Sequence, residues 1–311
     1  MTHAAPGSRA PDADWVQRPE RSNMAMLGIM SWISLRLGRP AGRLVLCLIS
    51  AYFLCFAPAA RRAARAYLQR ALGRPAGWRD LARHFFSFSA TIHDRVYLLN
   101  DRFDLFDIEI EGAALIEELI ASGRGGFLFG GHLGSFEVTR AIGRKHPALR
   151  VVLTMYEDNA RKISAALDAI NPAARPEIIA LGHLDAMLKV QDALANGALV
   201  GVLADRTLGR EATLPVPLLG TEASFPTGPF RMAAMLRRPV LFMAGLYLGG
   251  NRYRIRFERI ADFSTVERDQ RGSAIDAAVR TYASCLEGCC REAPFNWFNF
   301  FDFWQQRGDP R

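Results

Sequence analysis

Lysine is scarce in this chain. Of 39 Lys and Arg residues only Lys145, Lys162 and Lys189 are lysines, so the net charge of +8 is carried almost wholly by arginine. Genomic base composition is the bland explanation for that skew, and the charge itself attracts a protein to anionic lipid surfaces and to acidic proteins. Nucleic acid, the other common polyanion, is not indicated: there is no zinc-finger spacing, no RNA-binding aromatic signature and no basic helix carrying polar readout residues. The five cysteines are odd in number and lack framework spacing, which points to reduced, buried thiols. Cys285, Cys289 and Cys290 fall at helical spacing with no histidine nearby, and no metal site is expected. A Gly-x-Ser-x-Gly nucleophile elbow is also missing, since Ser135 sits in Leu133-Gly-Ser-Phe-Glu137. The first 23 residues hold no apolar stretch behind an early basic cluster; they read as a flexible tail and not as a secretory leader. Internal repeats and low-complexity tracts are absent.

What is present is a chain of 311 residues, 50% of them hydrophobic, enough to bury one large core. From Met24 the composition turns apolar in two runs, Met24 to Leu35 and Leu44 to Ala57, broken by Arg36, Arg39, Pro40 and Arg43. Only the second, taken from Leu44 to Ala60, reaches the shortest length that spans a bilayer. Arginines flank it on both sides, so charge bias gives no orientation, which favours a hairpin or in-plane attachment over a simple crossing. A buried helical pair of a soluble domain fits the same pattern. Downstream, Asp107 to Ile110, Gly126 to Phe129, Arg150 to Leu153, Glu177 to Leu181, Ala198 to Ala204, Val240 to Ala244 and Arg252 to Phe257 read as strands, separated by helical patterns. The division expected is a tail over 1–23, a membrane-associating helical region over 24–75 and an α/β domain over 76–311 in which helices cover both faces of the sheet. Ligands in such sheets gather at the carboxyl ends of strands, where both His132 and Asp205 fall.

The most informative segment is Gly130-Gly-His-Leu-Gly-Ser-Phe-Glu137, placed between the apolar run Phe127-Leu-Phe129 and a helical pattern. Five residues on a regular helix turn a side chain by roughly 500°, so His132 and Glu137 meet only if His132 lies in the turn and Glu137 in the first helical turns. Gly130, Gly131 and Gly134 permit such a turn. A carboxylate bonded to one imidazole nitrogen fixes the tautomer and frees the other nitrogen as a base. On residue types alone, a histidine merely packed at a helix start, with the carboxylate as its hydrogen-bond partner, fits equally well.

The segment resembles the His-x4-Asp/Glu signature of the lysophospholipid acyltransferase superfamily, and in particular its branch of lipid A biosynthesis (late) acyltransferases. Three further stretches fit that branch in order. Leu153-Thr-Met-Tyr-Glu-Asp-Asn159, with the helical Ile163 to Ile170, resembles the segment leading to an arginine, for which Arg175 is the candidate. Val202-Leu-Ala-Asp205-Arg206 opens a loop closing at Pro217-Leu-Leu-Gly-Thr-Glu-Ala-Ser-Phe-Pro-Thr-Gly-Pro229, similar to the aspartate-containing and Thr-x-Gly-Pro blocks. Trp297-Phe-Asn-Phe-Phe-Asp-Phe-Trp304 resembles the aromatic tail.

The resemblance implies a mixed sheet sandwiched by helices of the glycerol-3-phosphate acyltransferase-like kind, with N-terminal apolar membrane-associating helices. It also implies transfer of an acyl group from an acyl carrier protein thioester, or from acyl-CoA, to a hydroxyl of a membrane-associated lipid, glycolipid or lipid-like acceptor. Acyl carrier protein, anionic membrane lipids and that acceptor are then the partners, no bound cofactor is needed, and the expected place is the cytoplasmic face of a bacterial inner membrane. His132 would be the general base and Glu137 its orienting partner. Gly131, Gly134, Ser135, Arg175, Asp205 and Arg206 would line the substrate site, with loop amides near Gly130, Gly131 or Gly134, or an arginine, holding the oxyanion. Hydrolysis of a thioester or lipid ester by the same residues, and a lipid-binding scaffold without catalysis, are the other function classes. For the aromatic tail, core packing and interfacial anchoring are both open.

Overall fold

Gly126-Phe-Leu-Phe-Gly130 is buried along its whole length, and topology explains why. The computed structural model describes residues 24–182, 185–207 and 211–304; the expected tail over 1–23 and Arg210 lie outside the described residues. A seven-stranded sheet has the order β1-β9-β8-β2-β5-β3-β4, built from β1 (Asp107–Glu111), β2 (Gly126–Gly130), β3 (Val151–Tyr156), β4 (Glu177–Leu181), β5 (Leu199–Leu203), β8 (Pro239–Gly249) and β9 (Arg252–Asp262). Neighbours run parallel except β8 and β9, which pair antiparallel. This is the mixed α/β architecture expected. All seven sequence-read strands are present, and β2 is central because near-continuous apolar strands need cover on both faces.

Alternation along β2 assigns its side chains to two cores. Phe127 and Phe129 join Val200, Val202 and Phe242 on one face, against α7 (Ala186–Ala195), α8 (Gly228–Met235) and α9 (Arg271–Glu292). Leu128 points the other way, with Leu199, Leu241 and Met243, toward α3 (Trp78–Leu99) and α4 (Ala113–Ala121). Two short helices, α5 (Arg140–Lys145) and α6 (Glu157–Asp168), complete the crossovers.

One local expectation is corrected. The stretch between Asp205 and Pro229 is not all loop: β6 (Thr213–Leu218) and β7 (Thr221–Pro226) form a separate hairpin. Leu219 and Gly220, both at positive φ, make its two-residue turn. Pro215 and Pro217 obscured it, because proline is excluded from central strands but tolerated in an edge position. The two N-terminal apolar runs are helical, and α1 (Met24–Phe56) is broken between them at Gly38, whose φ of 80° and ψ of 171° are not helical, ahead of Pro40. It is followed by α2 (Pro58–Leu72), whose Ala64, Tyr67 and Leu68 belong to the main core.

Ser31–Phe56 is long and apolar enough to cross a membrane by length and composition, and most of it is not buried. Its Arg39 and Arg43 are nevertheless drawn to the protein. Arg39 grips the fully buried Asp94 of α3 through two bonds of 2.7 and 2.8 Å, Arg43 donates to it at 3.1 Å, and the Tyr253 hydroxyl adds a bond of 2.8 Å. Four residues of α1, Leu44, Leu48, Tyr52 and Phe56, stay exposed at four-residue spacing. Cys47 and Cys55 on this helix are also exposed, contrary to the expectation of buried thiols, whereas Cys285, Cys289 and Cys290 are buried.

His84 of α3 is fully buried among the rings of Tyr67, Phe85, Phe298 and Phe300. Its ring nitrogens have no hydrogen-bond partner of good geometry among the described residues. Burial pulls its pKa from 6.5 down to about 4. The unfolded chain therefore takes up this proton first, and the stability held at neutral pH is lost as pH falls through that window, by ~3 kcal/mol at most. Replacing His84→Phe should flatten the loss: urea titrations at pH 7.5 and 4.5 are expected to show the wild type losing about 3 kcal/mol more than the variant, and parallel losses would contradict the assignment.

Candidate active site

The site follows from the pairing of two strands. Gly130 of β2 lies opposite Leu203 of β5, and the Ala204 amide donates to the Gly130 carbonyl at 2.9 Å, extending the ladder by a step. The next residues, Gly131-His132 and Asp205-Arg206, thus leave the sheet side by side at its carboxyl edge. The structure brings His132 and Asp205 together: His132 Nδ1 is 2.8 Å from Asp205 Oδ1, and the His132 amide donates to Oδ2 at 3.0 Å. The indole Nε1 of Trp297 donates to the same Oδ2 at 3.0 Å.

Asp205 is fully buried. Burial alone would raise its pKa, but the His132 imidazole, the Arg206 guanidinium and the His132 amide outweigh burial and hold it well below the usual carboxylate range. An ionised carboxylate only accepts hydrogen bonds, so Nδ1 carries the hydrogen and Nε2 the lone pair. Nε2 makes no hydrogen bond among the described residues, and the His132 side chain keeps 31% of its surface exposed. Burial and Arg206 lower the His132 pKa below 6.5 against the raising effect of Asp205. The ring is therefore a neutral base at neutral pH.

Glu137 is not the partner of His132. Its Oε1 sits 2.7 Å from Arg95 Nε of α3, and its Oε2 accepts from the Ser135 hydroxyl at 3.2 Å. Gly134 takes a φ of +58°, and a side chain there would meet the Gly245 carbonyl oxygen at 2.0 Å. The Ser135 amide bonds to that same oxygen at 2.8 Å. Residues 134 to 137 consequently tuck under β8 and turn Glu137 toward α3, away from the imidazole. Sequence spacing could not reveal this fold-back. Ser135 itself is buried and bonded to Glu137, unlike an exposed nucleophile.

Other expected residues separate in the same way. At Gly131 a β-carbon would stand 3.3 Å from the Tyr282 hydroxyl and 3.4 Å from the Asp205 carboxyl carbon, so Gly131 packs directly against the carboxylate. The Gly134 amide donates to the Asn296 carbonyl at 2.9 Å, which removes it from the oxyanion donors. Arg175 lies outside the site. It precedes β4 at the amino ends of the parallel strands, roughly 16 Å of strand away from the carboxyl edge, and is largely exposed near Asp168. Arg206 adjoins the site but does not present a free fork: Nε donates to Asn299 Oδ1 at 2.8 Å, Nη2 to the Phe298 carbonyl at 3.1 Å, and the guanidinium lies over Phe301. Burial lowers its pKa to about 10.

The C-terminal aromatics form part of this architecture. Phe295, Trp297, Phe298 and Phe303 are buried, which decides for core packing at those positions. The Phe298 amide donates to the His132 carbonyl at 2.8 Å, and the Asn296 side chain pairs with the Tyr247 backbone at 2.6 and 2.9 Å. Sequence reasoning missed the indole donor of Trp297, although a tryptophan in a phenylalanine-rich run is the one ring with an N–H to give.

Comparison with curated proteins finds no match. A family model described as bacterial lipid A biosynthesis acyltransferase matches residues 13–306, which include every residue of this site. The chain belongs to the bacterial lipid A biosynthesis acyltransferase family, and is accordingly an acyltransferase that acts on lipid.

Proposed function

We propose that the enzyme moves an acyl group from an acyl carrier protein thioester to a hydroxyl of a membrane-associated lipid, glycolipid or lipid-like acceptor, with His132 as general base and Asp205 as its orienting partner. The single observation that carries this reading is the 2.8 Å contact between His132 Nδ1 and the buried Asp205. It leaves the basic Nε2 directed away from the pair. As the acceptor oxygen attacks the thioester carbonyl, Nε2 takes its proton and the imidazolium is stabilised by Asp205. Collapse of the tetrahedral intermediate breaks the C–S bond and expels the thiolate, which recovers the proton from Nε2. No acyl-enzyme is formed. The net charge of +8 suits an anionic donor such as an acidic carrier protein, and acyl-CoA, with its phosphates, is the alternative of the same sign. With water in place of the acceptor, the same steps would release free acid.

The apolar helix and the family together support membrane association. We place α1 in the plane of the cytoplasmic leaflet of the inner membrane, because Arg39 and Arg43, near its middle, are bound to Asp94 while Leu44, Leu48 and Phe56 face outward. Cysteines introduced at Trp32 and Arg62, in a background lacking Cys47 and Cys55, should both escape an impermeant maleimide added outside spheroplasts and react after permeabilisation. External labelling of either position would show a crossing.

For the chemistry, purified enzyme is assayed with labelled acyl carrier protein and membrane extract, and label entering lipid is the expected result. His132→Ala should lower turnover by roughly 10² to 10⁴, and Asp205→Asn by about 10⁴ through the wrong tautomer. Label recovered only as free acid would make the enzyme a hydrolase, and full turnover in a folded His132→Ala protein would reject the mechanism.

Since catalysis needs neutral His132, kcat/KM should fall as pH drops through a pKa below 6.5. Glu137→Gln should leave that acid limb in place. A limb displaced by Glu137→Gln and unmoved by Asp205→Asn would return the orienting role to Glu137.

A further inference from the structure

Three donors meet the buried Asp205 carboxylate, and two of them come from His132 itself. The third, the Trp297 indole N–H, is supplied from a segment 92 residues away in sequence. Trp297 is fully buried and its ring is fixed edge-on by Tyr67 at 5.1 Å and Phe303 at 4.7 Å. Its backbone is locked to the loop that carries the imidazole through the Leu133–Trp297 bridge, beside the Phe298 to His132 bond. An indole used only for packing has no need to aim its N–H at a carboxylate that orients a base.

We propose that Trp297 is a positioning residue of the acyl-transfer site: its N–H pins Asp205 Oδ2, so that Oδ1 faces Nδ1 of His132, and it draws off enough carboxylate charge to limit the basicity of the imidazole. The inference rests on the reading of His132 as general base. The ionisable groups facing Asp205 are His132 and Arg206, with Tyr282 and Cys290 on α9. Burial drives the Tyr282 and Cys290 pKa values well above their ordinary ranges, and burial lowers that of Arg206 only to about 10, so His132, lowered below 6.5, is the group here that changes charge on the acid side of neutrality. With the indole donor gone, the full carboxylate charge bears on the imidazolium and stabilises it.

The test compares the acid limb of kcat/KM in the full-length wild type, Trp297→Phe, and a variant carrying 3-benzothienylalanine at position 297, which keeps the indole shape and lacks the N–H. Acyl carrier protein bearing a labelled acyl chain and membrane extract serve as substrates. In both variants the acid limb should move up by about one pH unit, the size expected for losing a hydrogen bond to a charged group, and kcat should fall roughly tenfold with KM unchanged. If Trp297→Phe fails to fold, judged by circular dichroism, the isosteric variant decides alone. A limb that stays in place in the isosteric variant overturns the proposal, as does a loss of rate that is the same at every pH. His132→Ala separates the two claims: if it retains turnover the general-base reading falls, and if it is inactive while the limb stays fixed only the role of Trp297 falls.

Discussion

The Asp205 carboxylate lies fully out of water, and an ionised group can stay there only if hydrogen bonds replace its hydration, because an uncompensated buried charge costs several kcal/mol. That requirement ties together parts of the chain far apart in sequence. The end of β5 carries the acid, the turn after β2 supplies an amide and an imidazole, and the C-terminal segment contributes an indole. Each donor is in turn held by something else: the turn by the close approach of Gly134 to β8, and the tail by Asn296 on Tyr247 and by Arg206 on Asn299. Solvation of one charge thereby also fixes the tautomer and direction of an imidazole.

A second buried acid does comparable work at the N-terminal apolar helix. Asp94 collects Arg39, Arg43 and the Tyr253 hydroxyl, joining the kinked apolar helix to α3 and to β9. The helix's outward residues remain exposed while Arg39 and Arg43 donate to protein acceptors. The apolar face and the sheet edge bearing His132 are thus parts of a single packed body, as suits an acyltransferase that acts on lipid.

Much of this was legible in sequence, for physical reasons. Strands such as Phe127 to Phe129 declare themselves because burial on both faces demands an unbroken apolar run, and the segment around His132 declares itself because a tight turn after a strand needs glycine. Asp205 was visible as the end of an apolar strand, yet its role was not, since the neighbour relation of β2 and β5 is long-range and no local spacing encodes it. Glu137 misled for the converse reason: proximity in sequence suggested a contact that the left-handed Gly134 and the ion pair with Arg95 prevent. Arg175 was assigned from the order of motifs, and motif order does not say at which end of a strand a residue stands. The β6–β7 hairpin hid behind its prolines, and Trp297 hid among phenylalanines because a hydrophobic pattern does not distinguish a ring that donates from one that does not.

The central claim is that Asp205, and not Glu137, accepts the Nδ1 proton of His132. Proton NMR of the enzyme in detergent micelles, with ¹⁵N-labelled histidine and His132 assigned by its absence in His132→Gln, tests this directly. The account predicts a downfield Nδ1–H resonance in the wild type that persists in Glu137→Gln and disappears in Asp205→Asn. A resonance lost with Glu137 and retained without Asp205 would contradict it.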